Sequence, residues 1–370
     1  MKTRAAVLRE VGQWWNVEDV ELGGPKSHEV MVELRASGLC HSDDHLRTGD
    51  TKIELPVVGG HEGAGVVVEL GSGVESVKIG DHVVLSFIPS CGQCWMCSSG
   101  HQNLCDLGAY ALEGRAISDG TYRITADGEG VGRFCQLGTF APHVTVHEAS
   151  VVKIDPEIPL DVAALVGCGV PTGFGSAVYA AKVRAGDSCV VVGSGGVGIN
   201  AVQGARIGGA DIILAVDPVE MKRRVARQCG ATHVASSMAE AGELVRELTL
   251  GRMADSAILT VGVPSGDQVQ GLLSLVKKNG RAVVTAVAPW SVNEVSLNMQ
   301  EFTNYQKQLV GVMYGWANPR FDIPRILRLY QDRRLLLDQL ITNRYSLEEV
   351  NDGYRDLLAG RTIRGLIDYG

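Results

Sequence analysis

The chain changes its rhythm once, near residue 170, and that change constrains the fold more than any single motif. Before it, short β-branched runs are separated by turn residues: EVMVELRASG, GAGVVVELGSGV, GDHVVLSF and APHVTVHEASVVKI. Runs of this length and spacing predict an antiparallel, barrel-like β domain with long functional loops. Between Ala109 and Leu137 the chain is polar and glycine-rich, and GTYRITADGEG reads as an irregular hairpin beside a cysteine-rich loop. After residue 170 strand and helix patterns alternate. DSCVVVG is followed by GGVGINAVQGARIGG, ADIILAVD, PVEMKRRVARQCG and ATHVAS, then by AEAGELVRELTL, DSAILTVG, DQVQGLLSLVKKNG and RAVVTAV. Such alternation predicts a parallel sheet with helices on both faces. At 370 residues the chain is long for one core, so two domains are expected.

The first strand-to-helix turn of the second half reads GSGGVG, Gly193 to Gly198. A glycine hexapeptide is weak evidence alone in a chain with 46 glycines. Here it follows an apolar strand and opens a helix, as a dinucleotide-binding turn requires. Gly193 allows the tight turn, Gly195 lets the backbone approach a pyrophosphate, and Gly198 permits close helix–strand packing. Gly196 and Val197 complete the turn, where free N–H groups and the helix dipole face the phosphates. Asp217 closes the next strand, 19 residues after Gly198. A carboxylate there suits both ribose hydroxyls of NAD and repels a 2′-phosphate. Capping of the helix that follows is the plainer alternative.

Six of the nine cysteines fall into two patterns. Cys91, Cys94, Cys97 and Cys105 form C-x2-C-x2-C-x7-C within CGQCWMCSSGHQNLC. Four thiolates this close can surround one zinc ion and leave no position open. Disulfides are disfavoured because MKTRAAVLRE has no apolar stretch behind its charges, which makes a thiol-reducing cytoplasm the expectation. An iron–sulfur cluster is the other alternative, although the last gap is long and no proline follows the fourth cysteine. Cys40, His61 and Cys168 are dispersed in GLCHSDDH, GGHEGAG and VGCGVPTG. Two cysteines and one histidine match the ligands of a catalytic zinc that keeps a position for water or substrate. Cys135, Cys189 and Cys229 read as small buried apolar residues.

Composition excludes several functions. No apolar run approaches the ~18 residues a membrane span needs. A net charge of −8 argues against a nucleic-acid partner.

The order of these motifs resembles that of the zinc-dependent medium-chain alcohol dehydrogenases over Thr3 to Gly370. GDHVVLSFIPSCGQC and GCGVPTGFGSAVYAA resemble in particular the NDMA-dependent nicotinoprotein branch, some members of which are mycofactocin-associated. The resemblance implies an α/β chain in three parts. A GroES-like β-barrel catalytic domain with a structural zinc lobe would span 1–169. A doubly wound Rossmann NAD-binding domain would be inserted at 170–312, and 313–370 would return to the catalytic domain. It implies two zinc ions per chain, NAD, and oxidation of a primary or secondary alcohol to aldehyde or ketone. Partners would be a small alcohol or aldehyde, an external redox acceptor, and further copies of the chain in a homodimer or homotetramer.

The family also implies roles for single residues. Ser42 and His45 form a proton relay, Glu62 lies near the catalytic zinc, and Thr172 contacts the nicotinamide. Lys222 approaches the adenosine ribose and Arg364 the pyrophosphate. His41 stands where many members place a phosphate-binding arginine. Plainer readings stand beside these: Ser42 as a helix cap, His45 as an ordinary part-buried histidine, Lys222 on a solvated basic face. Asp43 and Asp44 read as a solvated helix start. Trp95, Phe140, Trp290 and Tyr314 are aromatic candidates for a substrate pocket. QLVGVMYG, Gln308 to Gly315, is an apolar edge strand that a symmetry mate would cover. A thiol-linked (glutathione or mycothiol) formaldehyde dehydrogenase and a non-catalytic binding relative are the alternative functions. Polyol dehydrogenases are disfavoured because many of them place glutamate at the Cys168 position.

Overall fold

The computed structural model describes residues 1–370. The chain divides into two compact units. The first comprises Met1–Cys168, Asn318–Arg333 and Leu337–Gly370; the second comprises Gly169–Ala317 with Arg334–Leu336.

The first unit holds a closed barrel of five strands: Lys2–Leu8, Asn16–Leu22, Ile124–Ala126, Glu129–Arg133 and Val57–Val58. Within GTYRITADGEG the hairpin is regular and belongs to that barrel, while residues 120–123 stay outside any strand. Ile124–Ala126 and Glu129–Arg133 pair antiparallel around Asp127 and Gly128, both left-handed at φ 51° and 82°. Left-handed geometry at both central residues is what an Asp-Gly hairpin turn provides.

The second sheet runs Val151–Lys153, His82–Leu85, Gly63–Leu70, Glu29–Gly38, Arg364–Asp368, Ile341–Tyr345, with His143–His147 paired to the start of Glu29–Gly38. These are the β-branched runs of the sequence, and their inward residues (Val30, Val32, Leu34, Val67, Val83, Leu85, Val144, Val146) form one core cluster. Under the barrel, Trp15 packs edge-on to Phe140 at 5.5 Å and against Tyr354 at 6.2 Å. A buried ion pair locks this unit: Arg123 Nε and Nη2 donate to the two carboxylate oxygens of Glu29 at 2.7 and 2.9 Å.

The second unit is a six-stranded parallel sheet ordered His233–Ala235, Ile212–Val216, Ser188–Val192, Ala254–Leu259, Val276–Val284, Gln308–Gly311. By chain order this is 3-2-1-4-5-6, the doubly wound arrangement of dinucleotide-binding domains. Helices Gly196–Gly208, Glu220–Gln228, Met238–Leu248 and Gly266–Ser274 connect its strands. One expectation needs correction. DQVQGLLSLVKKNG does not continue as a helix through its basic end. The helix stops at Ser274 and Val276 opens the next strand, with Asn279 left-handed at φ 58°. An asparagine–glycine pair tolerates that conformation where a helix interior would not. Gln308–Gly311 is indeed the sheet's edge strand, only four residues long. No single helix is long and apolar enough to cross a membrane.

Candidate active site

Cys40 stands at the N-cap of the first helix, α1 (His41–Thr48), in an extended conformation and with no side-chain cap bond. Its sulfur is thereby free for other partners. Ser42 does not cap the helix either; its Oγ lies 3.6 Å from Cys40 Sγ. His61 and Glu62 precede the strand Gly63–Leu70, and Cys168 follows a short 3-10 turn, Leu165–Gly167. These segments, far apart in sequence, bring one ligand atom each from Cys40, His61, Glu62 and Cys168 within 4.8 Å of one another, all buried.

The surroundings orient each donor. Asp43 Oδ1 accepts the Gly60 N–H at 2.7 Å, and its Oδ2 lies 3.1 Å from His61 Nδ1. Fixing Nδ1 in this way turns Nε2 toward the cluster, the arrangement that raises the ligand strength of an imidazole. Phe134 and Phe87 stand edge-on to the His61 ring at 5.2 and 5.5 Å. Glu62 Oε2 accepts from Arg364 Nη2, while Glu62 Oε1 is buried with no partner. Gly38 is obligatory here, because a Cβ would overlap Glu62 Oε2 and touch Arg364 Nη2 at 3.0 Å.

The electrostatics follow from that packing. A hydrogen bond from Cys168 holds Cys40 well below the ordinary thiol range against the effect of burial, and Cys168 is raised correspondingly. Burial disfavours the charged form of His61, but Asp43 and the Cys40 sulfur hold it well above its usual value. Burial raises Glu62 despite Arg364. Two sulfurs, an oriented imidazole and an orphaned carboxylate oxygen in a dry site are an incomplete set without a cation. The S/N donor chemistry selects a zinc-like ion. The residues fit the metal.

The second cysteine group is equally compact, with ligand sulfurs within 4.8 Å of one another. Cys91 and Cys97 lie 3.8 Å apart and Cys94 and Cys105 3.9 Å, and all nine cysteines are free thiols. Backbone N–H groups of Cys94 and Gln93 point at Cys91 Sγ (3.3 and 3.5 Å), and those of Cys97 and Asp106 at Cys94 Sγ (both 3.4 Å). Burial opposes the Cys91 thiolate, yet these amides lower it to about 7, whereas burial pushes Cys97 up to about 12. Changing Cys97 to serine should release the lobe's zinc and make the Cys91–Cys105 loop sensitive to protease. The stoichiometry should fall by one zinc per chain while the other site keeps its metal; unchanged metal content and cleavage would refute this assignment.

In the second unit, Gly193 adopts φ 94°, and a Cβ on Gly198 would overlap the Gly193 carbonyl. A Cβ on Gly195 would meet nothing within 4 Å, which leaves open space beside the turn for a ligand. Gly196 and Val197 start the helix there. Asp217 is buried, and each of its oxygens accepts one backbone N–H: Oδ2 from Ser194 and Oδ1 from Val219, both at 2.9 Å. It is therefore tied to the glycine turn and does not occupy the N-cap, which is Val219. Lys222 is half-buried on the same helix. Sequence reasoning passed over its neighbour Arg223, which donates to the Asp217 and Pro218 carbonyls at 2.7 and 2.8 Å. Thr172 lies in the helix Gly169–Gly175, its carbonyl accepting from Ser176 Oγ at 2.7 Å.

Several placements differ from the sequence reading. Asp43 and Asp44 are buried, not solvated: Asp43 orients His61 and Asp44 accepts from Arg47 Nε at 2.6 Å. Two acidic residues directly behind a ligand cysteine were the available signal. Arg364 donates to Glu62 in the metal-type cluster, a contact that the sequence reading lacked. Trp95 and Trp290 are about four-fifths exposed, and Phe140 is packed beneath Trp15. Phe87 and Phe134 border His61 instead. His41 and His45 share α1, their rings edge-on at 5.1 Å.

Comparison with known proteins agrees with this geometry. Residues 26–156 match the alcohol dehydrogenase GroES-like domain, and 196–332 the zinc-binding dehydrogenase domain. Alcohol dehydrogenase B of Mycobacterium tuberculosis is 49% identical over 370 residues, covering 100% of this chain and 99% of that one. The NDMA-dependent alcohol dehydrogenase of Amycolatopsis methanolica is 51% identical over 367 residues, covering 99% of both. The structure of benzyl alcohol dehydrogenase from Acinetobacter calcoaceticus superimposes with a TM-score of 0.92 at 29% identity, covering 100% of each chain.

Proposed function

The chain belongs to the zinc-dependent medium-chain alcohol dehydrogenases, and from that premise we propose that it works as a nicotinoprotein, keeping NAD bound between turnovers. It oxidises a primary or secondary alcohol to aldehyde or ketone, with the hydride passing to NAD. An external acceptor then reoxidises the cofactor in place. The observation that carries the enzymatic reading is the buried Cys40–His61–Glu62–Cys168 cluster with its unpartnered carboxylate oxygen. The likeness to an NDMA-dependent relative supports the retained cofactor.

Cys40, His61 and Cys168 would hold the catalytic zinc, and Cys91, Cys94, Cys97 and Cys105 the structural one. When bound, the zinc supplies a Lewis acid that lowers the pKa of the substrate hydroxyl, and the nicotinamide supplies the hydride acceptor. Glu62, paired with Arg364, carries a compensating charge beside the metal ligands. Ser42, whose hydroxyl lies 3.6 Å from the Cys40 sulfur, would take the first hydrogen bond from the substrate's O–H. His45, one turn further along α1, is the base that takes the proton. In the second unit Gly193, Gly195, Gly196, Val197 and Gly198 would hold the pyrophosphate, and Asp217 would hold the ribose with the lone pairs its backbone bonds leave free. Thr172, Lys222 and His41 would complete the cofactor contacts. Arg364 would serve the pyrophosphate with the guanidinium N–H groups that its Nη2 contact with Glu62 leaves over. We also place the protein in the cytoplasm as a homodimer or homotetramer. Its exposed edge strand Gln308–Gly311 pairs with that of a second copy.

The test is a panel of alcohols assayed with added NAD and, separately, with the artificial acceptor NDMA. Purified protein should carry nicotinamide through gel filtration and turn over with NDMA alone. Ordinary steady-state turnover in which added NAD exchanges freely would sink the nicotinoprotein reading and leave the alcohol dehydrogenase intact.

A further inference from the structure

Beyond the Ser42–His45 pair, the chain holds a carboxylate placed on the far nitrogen of the base. His45 is 3% exposed, and its Nδ1 lies 3.1 Å from Asp50 Oδ2. Asp50 follows Gly49, whose left-handed conformation (φ 80°) ends α1 and folds the chain back along it. Two further bonds hold the carboxylate in place. Thr48 Oγ1 donates to the same Asp50 oxygen at 2.8 Å, and the Thr51 N–H donates to the His45 carbonyl at 3.0 Å. The Asp50 side chain remains 27% exposed, so one end of the pair is buried and the other meets water.

We propose that Asp50 is the positioning residue of the proton relay: it fixes the Nδ1–H tautomer of His45 and steadies the ring that takes the relayed proton. This rests on the reading of His45 as the base. With Nδ1–H donated to Asp50, Nε2 carries the lone pair and is the nitrogen that can accept. The proton leaving the alcohol ends on Nε2. The imidazolium keeps its Nδ1–H on Asp50 and gives up the Nε2 proton to solvent, so one proton is released and the Nδ1–H tautomer is kept for the next turnover. The negative charge also stabilises the imidazolium that forms in between. Thr48 strengthens the arrangement: its hydroxyl, together with the His45 ring, holds Asp50 below the usual carboxylate range.

The other charged groups near this pair are accounted for. His41, on the same helix, faces the His45 ring edge-on, and burial keeps it below its usual value. Asp44 is occupied by Arg47. Arg47 of α1 and Arg355 both stack on Trp14, at 4.6 and 5.1 Å from its ring. The Tyr354 hydroxyl donates to the Cys40 carbonyl at 3.3 Å. Asp50 is thus the carboxylate bonded to His45.

The test measures kcat/KM against pH for alcohol oxidation in the holoenzyme, comparing wild type with Asp50→Asn, Asp50→Glu, His45→Gln and the double variant His45→Gln/Asp50→Asn. Asp50→Asn keeps a hydrogen-bond acceptor but removes the charge. The acidic limb should therefore move to lower pH by roughly one unit. The plateau should fall by about 10-fold or more as the base weakens. Asp50→Glu should restore the limb. The double variant should be no slower than His45→Gln, because Asp50 acts through His45. Zinc content and melting temperature on the same preparations report whether the fold is kept. An Asp50→Asn profile that drops uniformly without moving its limb, or a double variant slower than His45→Gln by the full Asp50 effect, would overturn the proposal. It would show that Asp50 only braces the turn. If His45→Gln itself leaves the profile unchanged, the relay reading fails first, and this inference with it.

Discussion

Cys168→Ser is expected to slow alcohol oxidation by about 10^4-fold, the equivalent of several kcal/mol of lost Lewis-acid stabilisation. A serine hydroxyl does not ionise near neutral pH and cannot replace a thiolate ligand. The remaining Cys40, His61 and Glu62 would leave the ion underligated. Metal analysis should then show one zinc per chain in place of two, with the cysteine lobe still loaded. Because Cys40 and Cys168 share a hydrogen bond, the loss of either sulfur alters the other. Full zinc content combined with wild-type turnover would show that Cys168 is not a ligand.

Arg123→Leu should produce the largest loss of stability. It strands the Glu29 carboxylate, whose side chain is 1% exposed, without a counter-charge. Breaking a buried pair from one side costs about 3–5 kcal/mol. In a unit of this size that lowers the melting temperature by on the order of 10 °C. Leucine at both positions should recover most of the loss, since the cost lies in the orphaned charge. The pH dependence has a definite sign. Burial opposes ionisation of Glu29, but Arg123, Ser118 and the Lys26 N–H hold it below the ordinary carboxylate range. Its contribution is therefore complete above the unfolded-state value and is lost as pH falls through the depressed one. Calorimetry across acidic pH checks this: wild type should lose stability there faster than the double-leucine variant. Equal slopes would refute the assignment.

Much of the fold was legible because its signals are local. Period-two apolar runs marked the strands of the first unit, and the strand–GSGGVG–helix order marked the second. VKKNG reads wrongly as helix because a short basic stretch carries no periodicity of its own; Asn279 and its neighbouring strand decide its conformation. The donor residues were legible from residue type and glycine-rich context. The residues that orient them were not. Asp43 looked like an exposed helix start because its partners, Gly60 and His61, arrive from another segment. Asp50 carries no motif, and only the turn at Gly49 places it on His45. Arg364 was assigned by resemblance to a phosphate, and the fold sets it beside Glu62, 302 residues away in sequence. Aromatic residues were the least readable, since Trp95 and Phe140 look alike in sequence and differ wholly in burial.

The first stretch of the first unit ends at Cys168, the second unit begins at Gly169, and the chain returns to the first unit at Asn318. Every donor of both cysteine-containing clusters lies on the near side of the 168/169 peptide bond. For recombination between relatives, an exchange bounded at 168/169 and at 317/318 would import nearly all of the second unit and leave every donor, with Arg364 beside Glu62, in the parent chain. A first junction one residue earlier would import a ligand as well. Cofactor preference and metal chemistry can therefore be inherited separately, by exchange of one internal segment between two junctions.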